Sequence, residues 1–170
     1  MKYITLEKFC TCSQTYQKYS DQIDPYPWNS ESVDAIASLM THIIDPIIDH
    51  FGYKNFQLTY GFCSIDLKKF LEKGQNQTCC KVDQHCAHEV NRKGNYICDR
   101  LGASCDFLVQ NVPSNVLVRH ISQTLPFDSL YYYGESRPIH VSYGPQHKKQ
   151  GWGFREDGTP YKLFRLKKPL

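Results

Sequence analysis

Two histidines three residues apart, His85 and His88, precede a Gly102-x-Ser104-x-Asp106 turn, and a third, His140, follows within IHVSYG at 139–144. This set limits the possible folds more than any other feature of the chain. Phe107 and Val109, beside Asp106, read as buried strand positions, and a carboxylate among them needs a cation or several donors to offset its lost hydration. His140 lies between Ile139 and Val141, so on an alternating strand it faces away from both. Two imidazoles and a carboxylate, with water in the fourth position, form the usual open set of a catalytic zinc. The residues therefore point to one Zn2+, held by His85 or His88 together with Asp106 and His140. No GxGxxG, phosphate loop or serine nucleophile elbow competes with this reading. CxxC pairs are absent, so Cys79, Cys80, Cys86, Cys98 and Cys105 read as small buried thiols rather than a structural zinc site.

A chain of 170 residues, 41% hydrophobic and 14% aromatic, is long enough for one compact domain with a core. The opening MKYITLEKFCTC carries charges where a signal peptide needs an uninterrupted apolar run. A cytoplasmic location with reduced cysteines is expected, with export by a phage-type lysis route left open. No stretch approaches the roughly 20 apolar residues that span a bilayer, so no membrane partner is expected. Charge is uneven. Residues 146–170 hold seven basic residues against Glu156 and Asp157, a net +5, which leaves −2 for the rest of the chain. The expected organisation is a zinc-binding domain over 1–145 and a basic tail over 146–170, packed on it or extending from it.

Along the chain, 5–18 reads as a short helix. Val33, Ile36, Met40, Ile43, Ile44, Ile47, Ile48 and Phe51 recur at three- and four-residue steps, the signature of one helix face. Ser30 is the expected cap, Gly52 the stop, and Pro46 the site of a kink. His42 and His50 fall on its polar side. Phe56–Tyr60 reads as a half-buried strand, Ser64–Leu71 as an amphipathic helix, 73–82 as loop, and 89–98 as a small hairpin around Lys93-Gly94-Asn95. A buried strand over 101–109 and a helix from Pro113 to Gln123, with Val116, Leu117, His120 and Ile121 inward, follow. Strands 129–133 and 138–143 form an antiparallel hairpin. The class is α+β, a small antiparallel sheet with helices packed on one side.

Over most of residues 5–144 the chain also resembles the zinc peptidases related to D-Ala-D-Ala carboxypeptidases, which share their fold with the hedgehog signalling domain. CSQTYQKYSDQID is similar to the segment that opens the phage-type branch, and IIDPIIDHFG to its Leu-Asp-Pro-Leu-Arg helix. TYGFCS at 59–64 sits where those proteins have Ser-Gly-Tyr-Arg-Ser. LPFDSL at 125–130 followed by IHVSYG at 139–144 is the most specific match. The family signature, Ser-x-His-x-x-Gly-x-Ala-x-Asp, keeps its second half here, but Asp99 stands at the histidine position. Its histidine has moved upstream across an insertion, and the resemblance of Asp83-Gln-His85 to Ser-Gln-His favours His85, with His88 close behind.

The resemblance implies a zinc-dependent hydrolase of peptide or amide bonds, acting on a peptide or peptidoglycan-like substrate from bacterial cell wall. Two departures bear on this. Cys63 replaces the substrate-binding arginine, which disfavours carboxypeptidase action on D-Ala-D-Ala. Arg137 stands where the family tends to place its general base, which leaves Glu135, then Asp128 and Glu89, as candidates. One alternative is a catalytically inactive, zinc-stabilised binding module. Another is a nucleic-acid- or nucleotide-directed protein that uses the basic tail, Arg92, Lys93 and exposed tyrosines.

Overall fold

The computed structural model describes residues 1–73 and 83–163. The apolar repeat at 30–51 builds the main helical element. Helix α3 (Ser30–Leu39) is capped by Asn29, one residue ahead of the expected Ser30, with its side chain accepting from the Ser32 amide at 2.8 Å. The run continues through a π-helical turn (Met40–Ile44) into α4 (Asp45–Phe51), and Gly52, at φ 89°, ends it. Pro46 explains the wide turn. Its ring would crowd the His42 carbonyl in a regular helix, and the Asp45 amide reaches back to the Met40 carbonyl instead. The expected kink is thus absorbed just before the proline.

The helix expected over 5–18 is two: α1 (Leu6–Thr11) and α2 (Gln14–Lys18), divided where Ser13 caps the second by accepting from the Tyr16 amide. Strand β1 (Phe56–Tyr60) and helix α5 (Ile65–Lys73) follow. The loop expected over 73–82 falls, from residue 74, outside the described residues. The small hairpin forms at its expected turn, with Val90 opposite Tyr96 and Gly94 at φ 79°. The remaining elements are β2 (Ala103–Val109), α6 (Ser114–Thr124), β3 (Ser129–Tyr132), β4 (Ile139–Tyr143), β5 (Gln150–Phe154) and β6 (Pro160–Lys162). In α6 the buried stripe is Ser114, Leu117, Val118 and Ile121, so Val116 points outward and Val118 takes its expected place. No helix among the described residues is long and apolar enough to cross a membrane.

The class is α+β, but the sheet is mixed. Its order is β1-β2-β4-β3-β5-β6, antiparallel throughout except that β3 and β5 run parallel. The cause is topological. β2 occupies the outer edge of β4, so the chain reverses after β4 and joins the open edge of β3, antiparallel to β4 and therefore parallel to β3. Residues 146–170 thus supply two strands; 164–170 lie outside the described residues. Arg155 lies over the Tyr161 ring and Lys162 over the Trp152 ring.

Helix α3 packs on β2 and β4, and α6 on β3. Their apolar stripes close over Phe107, Val109, Leu130, Ile139 and Val141, all buried. A smaller cluster of Ile23, Cys63, Leu67 and Cys86 sits beside the loop that carries His85. On the other face, one lateral row of paired residues crosses all six strands: Tyr60, Asp106, His140, Tyr131, Trp152 and Lys162. Tyr60 joins it through a β-bulge. Leu58 pairs with Phe107 but Tyr60 with Asp106; without the extra residue, Tyr60 would lie opposite Cys105 and point into the core.

Phe107 is fully buried and stacks on Phe56 at 5.0 Å. Phe107→Ala is expected to lower unfolding free energy by about 3–5 kcal/mol, measured by urea denaturation at equilibrium.

Candidate metal centre

Asp106 and His140 face each other across β2 and β4, and the register brings His140 Nδ1 to 2.9 Å from Asp106 Oδ1. His85 arrives from a separate loop, on a 3-10 turn (Gln84–Cys86). The Asp83 side chain opens that turn by accepting from the His85 amide at 2.8 Å, and the His85 carbonyl accepts from the Cys63 amide at 2.9 Å. His85 Nδ1 lies 2.7 Å from the Gly61 carbonyl, which can only accept, so Nδ1 carries the proton. That bond turns Nε2 toward Asp106 Oδ1, at 3.3 Å. A backbone carbonyl fixing the far nitrogen of a ligand imidazole is the usual support of a metal site.

Ligand atoms of His85, Asp106 and His140 all lie within 4.8 Å of one another, and the group can hold a metal ion. Burial pushes the Asp106 carboxyl up, but the charge of His85 and hydrogen bonds from His140 and His85 outweigh it and hold the group well below the usual carboxylate range. Asp106 therefore presents an anion. Its side chain is 31% exposed while His85 and His140 are buried, so the approach from solvent is on the carboxylate side.

Aromatic rings brace both imidazoles. Tyr60 meets His85 edge-on at 4.8 Å, and Tyr131 stacks flat on His140 at 4.7 Å, with 16° between planes. Burial, the largest cause, pushes the Cys12 thiol up to about 11, with the charge of Asp106 contributing, and drives Cys105 well above its ordinary value. Both thiols are neutral near pH 7. Cys86, Cys98 and Cys105 are buried free thiols, as expected, while Cys79 and Cys80 lie outside the described residues.

His88 does not join the group. Ala87, at φ 45°, reverses the chain between the two histidines. His88 Nε2 accepts from the Gly102 amide at 2.8 Å and its Nδ1 faces Glu31 at 3.5 Å, so it secures the turn into β2. The three acids expected as general base are engaged elsewhere. Glu89 is buried and accepts from Ser32 Oγ at 2.7 Å and from the Trp28 amide, tying the hairpin to the start of α3. Asp128 is buried and accepts from the Lys148 amide at 3.1 Å and Gln84 Nε2 at 3.2 Å. Glu135 is exposed in the β3–β4 turn and accepts from Asn115 Nδ2 at 3.1 Å, beside the start of α6.

Sequence reasoning missed Gly61, Tyr60 and Tyr131, and the part Asp83 plays in holding the His85 turn. Gly61 acts through its backbone, and a Cβ there would come within 2.2 Å of the Phe9 carbonyl. The glycine was visible in the sequence; its contact with His85 was not. Tyr131 was legible as a strand position, but its place beside His140 follows from pairing.

Alanine at His85, Asp106 or His140 is expected to weaken binding of a divalent ion by about 100-fold or more, beyond the 10–100-fold typical of an outer-shell partner. His88→Ala should keep the ion. Calorimetric titration of the metal-free variants with zinc and cobalt checks both. No protein-family model matches the chain, and no curated protein or solved structure matches it either.

Proposed function

We propose that the protein is a zinc-dependent hydrolase of peptide or amide bonds. The observation that carries this reading is the convergence of two imidazoles and one partly exposed carboxylate, with ligand atoms within 4.8 Å. The donor set suits zinc: two nitrogens, one of them already oriented by the Gly61 carbonyl, and one hard anionic oxygen. The motif resemblance to zinc peptidases of the D-Ala-D-Ala carboxypeptidase type supports the same chemistry, with cell-wall peptide as the substrate class. When bound, zinc supplies Lewis acidity that polarises a carbonyl and makes water nucleophilic near pH 7.

The residues of the chain do the rest. His85 and His140, braced by Tyr60 and Tyr131, fix the geometry, and Asp106 supplies the negative charge. A proton acceptor is also needed, because water loses a proton as it adds to the carbonyl and the departing amine gains one. Glu89 and Asp128 are buried and bonded elsewhere. Asp83 is the acid we assign. It sits on the His85 loop, two residues before the ligand, where its Oδ1 accepts from the His85 amide at 2.8 Å.

A zinc-stabilised binding module is the second reading, favoured by the engagement of Glu89, Asp128 and Glu135 away from the cluster. Turnover of a bacterial cell-wall peptide mixture by the zinc-loaded protein, followed by mass spectrometry, separates the two. Loss on chelation and return with zinc are expected for the hydrolase. Asp83→Asn keeps the acceptor for the His85 amide but cannot take a proton. It should retain zinc and lose about 100-fold or more in turnover, while Glu135→Gln stays active. The reverse pattern returns the role to Glu135. Zinc-dependent stabilisation without turnover supports the module.

A further inference from the structure

Strand β5 distributes its bulk in the reverse of the usual order. A sheet strand with one solvated face normally turns its large apolar side chains to the core and smaller or polar ones to water. In β5, Gly151 and Gly153 take the core-facing positions, with Gly151 opposite the buried Leu130. Trp152 and Phe154 alternate to the open face instead, where each is half-buried. The inner positions have no room for bulk: a Cβ at Gly153 would come within 2.2 Å of the Tyr161 ring. The large rings of this strand therefore serve the outer face.

Other rings join them. Tyr133, just past the end of β3, stacks on Phe154 at 5.1 Å with 21° between planes, and Tyr131 meets Phe154 edge-on at 5.8 Å. The lateral row through the metal centre thus continues into an aromatic surface on which Tyr133 is 38% exposed. Tyr133 and Phe154 line a cleft of about 690 Å³ together with Tyr161, Arg137 and Arg155. Arg155 stands 5.7 Å from the centre of the Tyr161 ring, and Lys162 stands 5.8 Å from that of Trp152. Arg137, Arg155 and Lys162 are exposed, and no carboxylate among the described residues lies within ion-pair distance of any of them. Glu156 also lines the cleft, one acid against two guanidinium groups.

Exposed rings beside unpaired cations suit a ligand that repeats a flat apolar group and an anion at short intervals. We propose that the open face of β3, β5 and β6 around Tyr133, Phe154, Arg137 and Arg155 binds single-stranded nucleic acid. Bases stack on the rings, and phosphates pair with the two arginines and Lys162. The contacts are to base faces and phosphates rather than to sugar, so DNA and RNA are bound alike. A duplex keeps its base faces stacked on one another and offers the rings nothing. A neutral glycan can also lie on aromatic rings, but it leaves three cations without counter-charge. This surface requires no metal ion and does not depend on the hydrolase reading.

The test is fluorescence anisotropy of short labelled oligothymidylate and oligouridylate in low salt, titrated with the full chain in the presence and absence of zinc. Both oligonucleotides are expected to bind in either condition, with affinity that falls as salt rises. Phe154→Ala should weaken binding roughly tenfold through lost stacking. Arg137→Gln and Arg155→Gln should each flatten the slope of log affinity against log salt by about 0.7. Both arginines are exposed, so these two variants report on the surface even where Phe154→Ala fails to fold. Absence of binding in low salt, equal affinity for a duplex of the same length, or affinity that none of the variants changes overturns the proposal. Binding of a soluble chitin oligosaccharide with no binding of either oligonucleotide makes the rings a saccharide platform and overturns it as well.

Discussion

An ionised carboxylate halfway along a β-strand is the constraint on which this structure turns. Asp106 lies between Cys105 and Phe107, both buried, and cannot keep its charge there without compensation. The pairing of β2 with β4 supplies His140 on one side, and the loop anchored at Asp83 and Gly61 supplies His85 on the other. Both imidazoles reach the same oxygen, Oδ1. The sheet face is therefore divided in purpose. Residues one step along each strand, such as Phe107, Ile139 and Val141, enter the core under α3 and α6, while the row through Asp106 stays polar and aromatic.

Two local irregularities make that division possible. The bulge between Leu58 and Tyr60 brings Tyr60 round to brace His85, at the expense of one regular ladder position. The π turn before Pro46 lets one apolar stripe continue from Ile36 to Ile48 despite a residue that would otherwise break it. In both, a departure from ideal geometry preserves contacts elsewhere. His42 gains a further role through this run, since its ring stacks on Tyr143 at the end of β4, although its spacing marked it only as a polar-face residue.

Legibility in the sequence followed the range of the physics involved. The helix from 30 to 52 could be read because its period and its stop at Gly52 are local. The outward aim of His140 could be read because strand alternation is local too. The choice between His85 and His88 was not legible in the local spacing, and only the motif resemblance favoured His85. It depends on a backbone reversal at Ala87, a residue with no marked preference for that conformation. Glu89 and Asp128 looked available as bases because nothing nearby in sequence announces Ser32 or the Lys148 amide as their partners. The parallel β5 was hidden for the same reason: the basic segment around it suggested a tail, while its pairing with β3 depends on which sheet edge was still open.

The lateral row has a kinetic consequence. Asp106 and His140 are 34 residues apart in the chain, and His85 reaches across 24 residues to the Gly61 carbonyl that orients it. None of these meetings is nucleated by a tight local turn, as happens in small finger domains where the ion organises a short loop. The ligand set is complete only after β1, β2 and β4 have zipped together, and long-range pairings of that kind form slowly. Ion capture should then be a late event that seals an assembled sheet, and a nascent chain would emerge well past His140 before it could retain one.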